Sequence, residues 1–205
     1  DAPLLFNPGS SWEYGIGIDW LGVLVEEISG LDLQEYMKKN IFDPLEMKDT
    51  GYDLPSTEHA RVAKVYSRRE DSFSEIPFGV SEKYDFYSGG GGLISNIHDY
   101  SAFLRIFLNA GKGNEAQILK KESVEVMLTS INREMKMKNL ETSSPPLTED
   151  MIIMAGIEKS WSPGFMINHE TSQSGRPKDS AGWAGLFNSY FWIDTQNNMV
   201  SIILM

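Results

Sequence analysis

The sequence contains no cysteine among its 205 residues. Disulfide bonds, thiolate catalysis and cysteine-ligated metal sites are therefore excluded, while a reducing and an oxidising compartment both remain open. Long apolar runs are missing as well. The longest, from Met199 to Met205, still contains Ser201 and falls far short of the roughly 20 residues that a membrane-spanning helix needs. No membrane-embedded segment is expected, and the localisation stays open.

Basic residues are scarce relative to acidic ones. Eighteen Lys and Arg against 29 Asp and Glu give a net charge of −11. Phosphate backbones and anionic lipid head groups would be repelled, so neither nucleic acid nor a membrane surface is an expected partner. A content of 41% hydrophobic residues is enough to bury a core of ordinary size.

Histidine is rare too, and no G-x-S-x-G nucleophile elbow is present. The three histidines, His59, His98 and His169, lie far apart in sequence and none has a second ligand at helical spacing. This spacing argues against a Ser-His-Asp triad and against a metal site. The glycine run 89–92 lacks the Gly-Lys-Ser/Thr of a phosphate loop. No metal or other cofactor is expected.

The hydrophobic periodicity changes from helical to alternating along the chain. We predict a helix capped by Asp19 and ended by Gly30, followed by a short one from Asp32 to Asn40. A helix with its apolar stripe over 100–108 and a shorter one around 124–128 come next. The stretch before Tyr87 is expected to be irregular except for a strand-like piece at 61–66, and 133–150 to be an excursion without a core of its own.

The strands are predicted at the end of the chain, at 165–168, 187–194 and 199–205, with a hairpin turn at Asn197-Asn198. Helices first and an antiparallel meander last indicate an α+β fold. We divide it into a mainly helical and irregular region, 1–163, and the antiparallel strands of the same domain, 164–205. The abrupt start at Asp1 and the end inside an apolar run suggest that the fold is incomplete at both ends.

Two segments carry the most information about chemistry. In 7–22, a turn at Asn-Pro-Gly-Ser leads to Tyr14 just before a helix, and Gly182-Trp183-Ala184-Gly185-Leu186 leads into a strand. Together with Asp-Pro-Leu-Glu-Met-Lys-Asp-Thr at 43–50 and Ser-Gly-Gly-Gly-Gly-Leu-Ile-Ser at 88–95, they closely resemble the serine β-lactamase-like superfamily. Within it, the sequence is most similar to the class C β-lactamase relatives known as family VIII carboxylesterases and to the fungal transesterases that acylate polyketides.

The resemblance covers nearly the whole chain and implies a β-lactamase/transpeptidase-like fold, with a helical region and part of an antiparallel sheet. It also implies a site. Tyr14 matches the tyrosine that supports proton transfer, and Trp183-Ala184-Gly185 matches the strand-edge Lys-Thr-Gly motif that binds substrate. The backbone N–H of Leu186 would then face the oxyanion. Without the resemblance, Tyr14 would be read as a common packing residue and Trp183 as hydrophobic filling.

The sequence departs from the family's pattern at three points. No lysine has a serine three residues before it, so the Ser-x-x-Lys motif that supplies the nucleophile is absent. Ile16 stands where β-lactamases place an asparagine, and Trp183 stands where they place a lysine. The two replacements resemble the esterase and transesterase branch, which implies acyl-enzyme chemistry on a small ester, thioester or amide with poor β-lactam turnover.

We therefore expect the Ser-x-x-Lys segment to come from outside these residues, either in cis or as a separate chain, and the 205 residues alone to be inactive. The alternative is a non-catalytic binding or regulatory protein that retains the fold and has lost the nucleophile. Labelling with a fluorophosphonate probe discriminates between the two.

Overall fold

A computed structural model describes residues 3–69, 72–77, 79–143 and 148–204. The helices are α1 (Gly17–Ser29), α2 (Leu33–Met37), α3 (Ile97–Leu108) and α4 (Lys121–Met127), with a π-helical turn at Lys38–Phe42 and a 3-10 helix at Ser56–Arg61. The strands are β1 (Val65–Arg69), β2 (Ser72–Ile76), β3 (Lys159–Trp161), β4 (Met166–Asn168), β5 (Ala181–Gly185), β6 (Ser189–Asp194) and β7 (Met199–Ile203). The chain forms two compact units, Ile16–Tyr100 and Asp1–Gly15 with Ser101–Met205.

Helix α1 organises the unit Ile16–Tyr100. Its buried Gly22 lies so close to Leu33 and Gly89 that an added Cβ would sit 3.1 Å from the Leu33 side chain. Val25 packs against the cluster of Leu33, Tyr52 and Tyr87. Gly30 ends α1 in the left-handed conformation, with φ 70°, as predicted.

The predicted cap of α1 is wrong. The helix begins at Gly17, so Asp19 lies inside its first turn. Ile16, the residue before the helix, makes no side-chain capping hydrogen bond. The Asp19 carboxylate instead accepts hydrogen bonds from the Ser88 hydroxyl and, at 3.2 Å, from the Gly90 N–H. These bonds hold the pKa of Asp19 below its ordinary value. The carboxylate thus fixes the glycine-rich turn.

Gly89 shows why glycine is required in that turn. A Cβ built on Gly89 would lie 2.4 Å from the carbonyl oxygen of Ile18, a separation that no side chain tolerates. Gly92 completes the turn with φ 94°. Glycine is thus required at Gly89 by a close backbone approach and favoured at Gly92 by a positive φ.

The remainder of this unit differs in part from the prediction. The short helix predicted from Asp32 is present as α2, and Asp32 caps it, its side chain accepting from the Glu35 N–H at 2.7 Å. The strand-like piece predicted at 61–66 is wrong in position, because 56–61 is a 3-10 helix and the strand begins at Val65. It pairs with β2 in an antiparallel hairpin, which contains exposed Phe73.

The second unit contains one antiparallel sheet in the order β3-β4-β5-β6-β7. Its core includes the ring of Phe165, which contacts Phe107 and Phe191 edge-on with ring centroids 4.9 Å and 6.0 Å apart. The predicted hairpin turn at Asn197-Asn198 is confirmed, since it joins β6 to β7 and Asn198 has φ 53°. The division at residue 163 stays a prediction.

Besides β2 of the first unit, two strands of this sheet escaped the prediction. Strand β3 has only three residues, two of which are the buried polar Lys159 and Ser160, so no apolar alternation marks it. Strand β5 contains two glycines, which weaken the strand pattern in the sequence. The excursion 133–150 is also more anchored than predicted, because Met137 is buried and its N–H donates to the Lys159 carbonyl at 2.7 Å.

Candidate active site

Four aromatic rings form one connected cluster in the unit that contains the sheet. The Tyr14 ring lies 5.4 Å from the Trp183 ring, which meets Trp161 edge-on at 4.6 Å. Trp12 completes the cluster, 5.5 Å from Trp161 and 6.5 Å from Tyr14. Such separations are those of rings in mutual contact, so the rings make a continuous apolar wall without a gap between them.

Tyr14 belongs to a segment without regular secondary structure. Residues 7–10 form a turn closed by the Ser10 N–H on the Asn7 carbonyl at 3.0 Å, and residues 11–15 then lead to the start of α1. Tyr14 is 51% exposed, although one side of its ring is covered by Trp183. The contact therefore positions the ring, while about half of the residue stays exposed.

Strand β5 provides the other side of the site. Trp183, Ala184 and Gly185 pair with Phe191, Tyr190 and Ser189 of β6. Trp183 and Gly185 are two positions apart in a strand and so share a face. Because Trp183 contacts Tyr14, Gly185 is on the strand face turned toward the phenol. The structure thus brings Tyr14 and the strand-edge motif together.

Gly185 and Leu186 mark the end of the strand. A Cβ on Gly185 would lie 2.4 Å from the Ser189 hydroxyl oxygen, so a larger residue here would require the Ser189 side chain to move. Leu186 opens the three-residue turn 186–188, its side chain is 64% exposed, and Asn188 in that turn has φ 57°. Leu186 therefore lies in an exposed turn directly after the strand edge.

Sequence reasoning missed two members of the cluster, Trp12 and Trp161. Trp12 precedes Tyr14 by two residues in a segment without regular secondary structure, so no periodic pattern marked it. Trp161 had no signal either, since its strand was not predicted.

No cation supports the phenol within the described residues. These residues include a cation–π contact in which the Arg176 guanidinium lies 5.7 Å from the centroid of the Trp192 ring. Neither residue belongs to the four-ring cluster. Nor does any group of three or more His, Asp or Glu residues in the described ranges have a geometry that could hold a metal ion. The same part of the chain includes no helix long and apolar enough to cross a membrane.

A second polar cluster in this unit contains a histidine and two serines. His169 Nε2 lies 2.8 Å from the Ser160 hydroxyl, which in turn lies 2.6 Å from that of Ser130. Burial lowers the pKa of His169. Ser160 is 0% exposed, so no substrate reaches it. This hydrogen-bond chain is a structural feature of the β3–β4 region.

The whole chain, residues 1–205, matches the family model described as Beta-lactamase. Curated relatives include acyltransferase calJ of Penicillium decumbens, 24% identical over 96% of this chain and 48% of its own length. Lovastatin esterase of Penicillium rubens is 26% identical over 98% of this chain and 51% of its own length. This chain thus spans about half the length of both relatives.

A solved structure gives the same picture. A mutant of simvastatin synthase from Aspergillus terreus superimposes with a TM-score of 0.77 and 25% sequence identity. The match covers 98% of this chain and 51% of that one. The fold match therefore covers nearly all of the present chain.

Proposed function

Because the chain belongs to the beta-lactamase family, we propose that it supplies part of the active site of a serine esterase or transesterase that works through an acyl-enzyme. The packing of Tyr14 against Trp183 at 5.4 Å carries the proposal, since it holds a phenol beside the strand edge that ends at Leu186. The names of the relatives, an acyltransferase and an esterase, point to the same reaction class.

The proposed reaction begins with the serine hydroxyl of a Ser-x-x-Lys motif. These 205 residues do not contain that motif, because none of their lysines has a serine three residues before it. That serine attacks the ester carbonyl, and its proton passes to the phenolate oxygen of Tyr14. A tyrosine has an ordinary pKa of about 10, so a nearby ammonium group is needed to hold the phenolate near neutrality. The lysine of Ser-x-x-Lys would provide it.

Collapse of the tetrahedral intermediate expels the alcohol, which takes the proton back from Tyr14, and leaves the acyl group on the serine. Water or a second alcohol then attacks the acyl-enzyme by the same proton path in reverse. In both steps negative charge develops on the carbonyl oxygen. The Leu186 N–H would donate to it, and an oxyanion donor of this kind is worth about 3 kcal/mol.

The wall around Trp183 determines what kind of substrate fits. An indole replaces the lysine that the family's β-lactamases use at this position, so no charge is offered to a carboxylate. Trp183, Ala184 and Gly185 would instead border an apolar acyl or alcohol group. We therefore propose esters or thioesters as substrates, with β-lactams turned over poorly.

The test uses the natural enzyme, including whatever polypeptide carries the nucleophile. We expect a fluorophosphonate probe to label a serine of a Ser-x-x-Lys motif, and p-nitrophenyl butyrate to be hydrolysed with a much higher kcat/KM than nitrocefin. A clear preference for nitrocefin would refute the ester specificity. Absence of labelling would refute the enzymatic proposal and favour a binding or regulatory role.

A further inference from the structure

The hydrogen-bond chain that begins at His169 ends at a serine that the proposed reaction does not use. His169 Nε2 lies 2.8 Å from the Ser160 hydroxyl oxygen, and that oxygen lies 2.6 Å from the Ser130 hydroxyl oxygen. Ser160 is fully buried, whereas Ser130 is only partly so. The neighbours of Ser130 in sequence, Thr129 and Ile131, are both exposed. Ser130 is therefore the member of the chain that lies nearest the solvent.

Backbone hydrogen bonds hold both ends of this chain in place. Ser130 follows α4, and the N–H of the next residue, Ile131, donates to the Trp161 carbonyl of β3 at 3.0 Å. At the other end, the His169 N–H donates to the Glu158 carbonyl at 2.9 Å. The serine and the imidazole are thus fixed against the same strand from its two sides, so their spacing does not depend on the side chains alone.

The two short distances allow linked proton transfers. With Nε2 as the acceptor, the Ser160 O–H donates to the imidazole, and the Ser130 O–H donates to Ser160. A serine hydroxyl is a weak nucleophile until a base takes its proton. Here the base is connected to Ser130 through one intervening hydroxyl, and the burial of Ser160 keeps water from competing for either hydrogen bond.

We propose that Ser130 is an acyl-accepting serine that reacts with activated esters through Ser160 and His169. A bond forms between the Ser130 oxygen and the acyl carbon, and the bond from that carbon to the leaving phenolate breaks. The Ser130 proton passes to Ser160 while the Ser160 proton passes to His169 Nε2, and the imidazolium then releases a proton to water. This reaction is separate from the proposed function, because it uses no Ser-x-x-Lys motif.

The product is expected to persist as an acyl-serine ester. Its hydrolysis would require a water molecule to hydrogen-bond to Ser160, so that the same base could take the proton of that water. Ser160 is 0% exposed, which leaves no route for a second nucleophile. We therefore expect one acylation of Ser130 for each chain and no turnover at this position.

The charges around His169 leave its imidazole free to act as a base at neutral pH. Burial lowers the pKa of His169 from its ordinary value of 6.5, and the positive charge of Arg133 acts in the same direction. The carboxylates of Asp179, Glu158 and Glu170 raise the pKa without reversing the shift. The acylation of Ser130 should therefore rise with pH up to about 6.5 and then level off.

Other serines of the chain provide internal references because their hydroxyl partners are not bases at neutral pH. The Ser10 hydroxyl donates to the Asn7 carbonyl at 2.8 Å. The Ser172 and Ser174 hydroxyls lie 2.9 Å apart and bond to each other. Ser10 and Ser174 are both exposed, so a reagent reaches them without the help that the chain gives to Ser130.

Peptide mass spectrometry of the natural enzyme after brief exposure to p-nitrophenyl butyrate tests the proposal. At about pH 7.5, we expect about 10²-fold more butyryl group on Ser130 than on Ser10 or Ser174, the smallest gain typical of a positioned base. His169→Gln can still hydrogen-bond to Ser160 but removes the base, so it should lower the yield on Ser130 by about the same factor. Ser160→Ala interrupts the chain and should do likewise.

Ser174→Ala is the matched control, because it removes a serine hydroxyl outside the chain and should leave the yield on Ser130 unchanged. Circular dichroism checks that each variant keeps its fold, and His169→Gln provides the test by itself if Ser160→Ala does not fold. A parent enzyme without butyryl-Ser130, or an equal yield in the parent and His169→Gln, overturns the proposal.

The same digest separates this inference from the proposed function. A butyryl group on the serine of a Ser-x-x-Lys motif, with none on Ser130, overturns the inference and leaves the proposed function standing. Butyryl-Ser130 without any acylated Ser-x-x-Lys serine supports the inference and counts against the proposed function.

Discussion

The ring of Tyr14 lies 5.4 Å from the ring of Trp183, with 34° between the two planes. This contact joins a segment near the start of the chain to the strand β5, more than 160 positions later. Neither residue gains from the other by charge or hydrogen bonding, so the contact acts by placing a phenol at the edge of the sheet. The proposed proton transfer would therefore use the hydroxyl of Tyr14, while the ring contact sets where that hydroxyl lies.

Substitution of the phenol separates these two contributions. In the enzyme that includes the nucleophile, we expect Tyr14→Phe to lower kcat by about 10²- to 10⁴-fold, because the proton path is lost. KM should stay close to its original value, since the ring still packs on Trp183. Steady-state kinetics on p-nitrophenyl butyrate measure both. A Tyr14→Phe enzyme with nearly full kcat would show that Tyr14 is only a packing residue.

The oxyanion role of Leu186 depends on its main chain. We expect Leu186→Pro, which removes the N–H, to lower kcat by about 10²- to 10³-fold. Leu186→Ala retains the N–H and shortens an exposed side chain, so it serves as the matched control with kcat near that of the parent. Equal loss in both variants, with unchanged circular dichroism, would contradict a role for the amide.

Restoring the family's lysine tests the specificity assigned to Trp183. We expect Trp183→Lys to raise the ratio of nitrocefin to ester turnover, because an ammonium then faces a β-lactam carboxylate. The change also removes the edge-on contact with Trp161. This loss should lower the free energy of unfolding by about 1 kcal/mol, in addition to the effect of the lost apolar burial. Trp12→Lys places an ammonium on the same wall away from the strand edge. An identical change in the ratio for both variants would argue against a specific role of position 183.

Gly89 allows a stability prediction that does not depend on function. We expect Gly89→Ala to lower the free energy of unfolding by about 1–3 kcal/mol, because its Cβ would meet the Ile18 carbonyl oxygen at 2.4 Å. Gly91→Ala, two residues on, has no heavy atom within 4 Å of the added Cβ and should change stability far less. Urea denaturation compares the two. Equal losses of stability in the two variants would mean that the glycine-rich turn shifts to accommodate the Cβ added at position 89.

His169 predicts a pH dependence of stability. Burial lowers its pKa below the ordinary 6.5, so the unfolded chain binds a proton more readily than the folded one. Stability should therefore fall as the pH drops below about 6.5 toward the folded-state pKa, with no contribution from this group at higher pH. His169→Gln removes the titrating group, so the difference between its unfolding free energy and that of the parent should change across this window. A difference that is independent of pH would contradict the prediction.

The helices could be predicted because each has a signal in its own sequence. Gly30 ends α1 in a left-handed conformation, and Asp32 caps α2, as their residue types indicate. Asp19 has the right residue type for a cap as well, yet it is used by the glycine turn 69 positions away. Its true partner, Ser88, is set by tertiary contact, which local patterns do not encode.

The candidate site shows the same limit. Tyr14 and Trp183 were identified from motifs that resemble a known family, and the structure places their rings together. Trp161 was missed because β3 is short and contains a buried Lys159 and Ser160, so its strand has no apolar alternation. The roles assigned to Tyr14 and Leu186 stay predictions, because they concern a reaction with groups outside this chain.

The aromatic wall also gives the site a spectroscopic signature. Three of the five tryptophans, Trp12, Trp161 and Trp183, belong to a single run of touching rings. Indoles whose ring centroids are held 4.6 Å and 5.5 Å apart couple their excited states, so the far-ultraviolet circular dichroism should contain an exciton band. Replacing Trp161, which takes part in both contacts, should abolish this band, whereas replacing Trp12 or Trp183 should only weaken it. Ligands that settle on the wall would perturb this band directly, which makes occupancy measurable with the unlabelled protein before any turnover is detected.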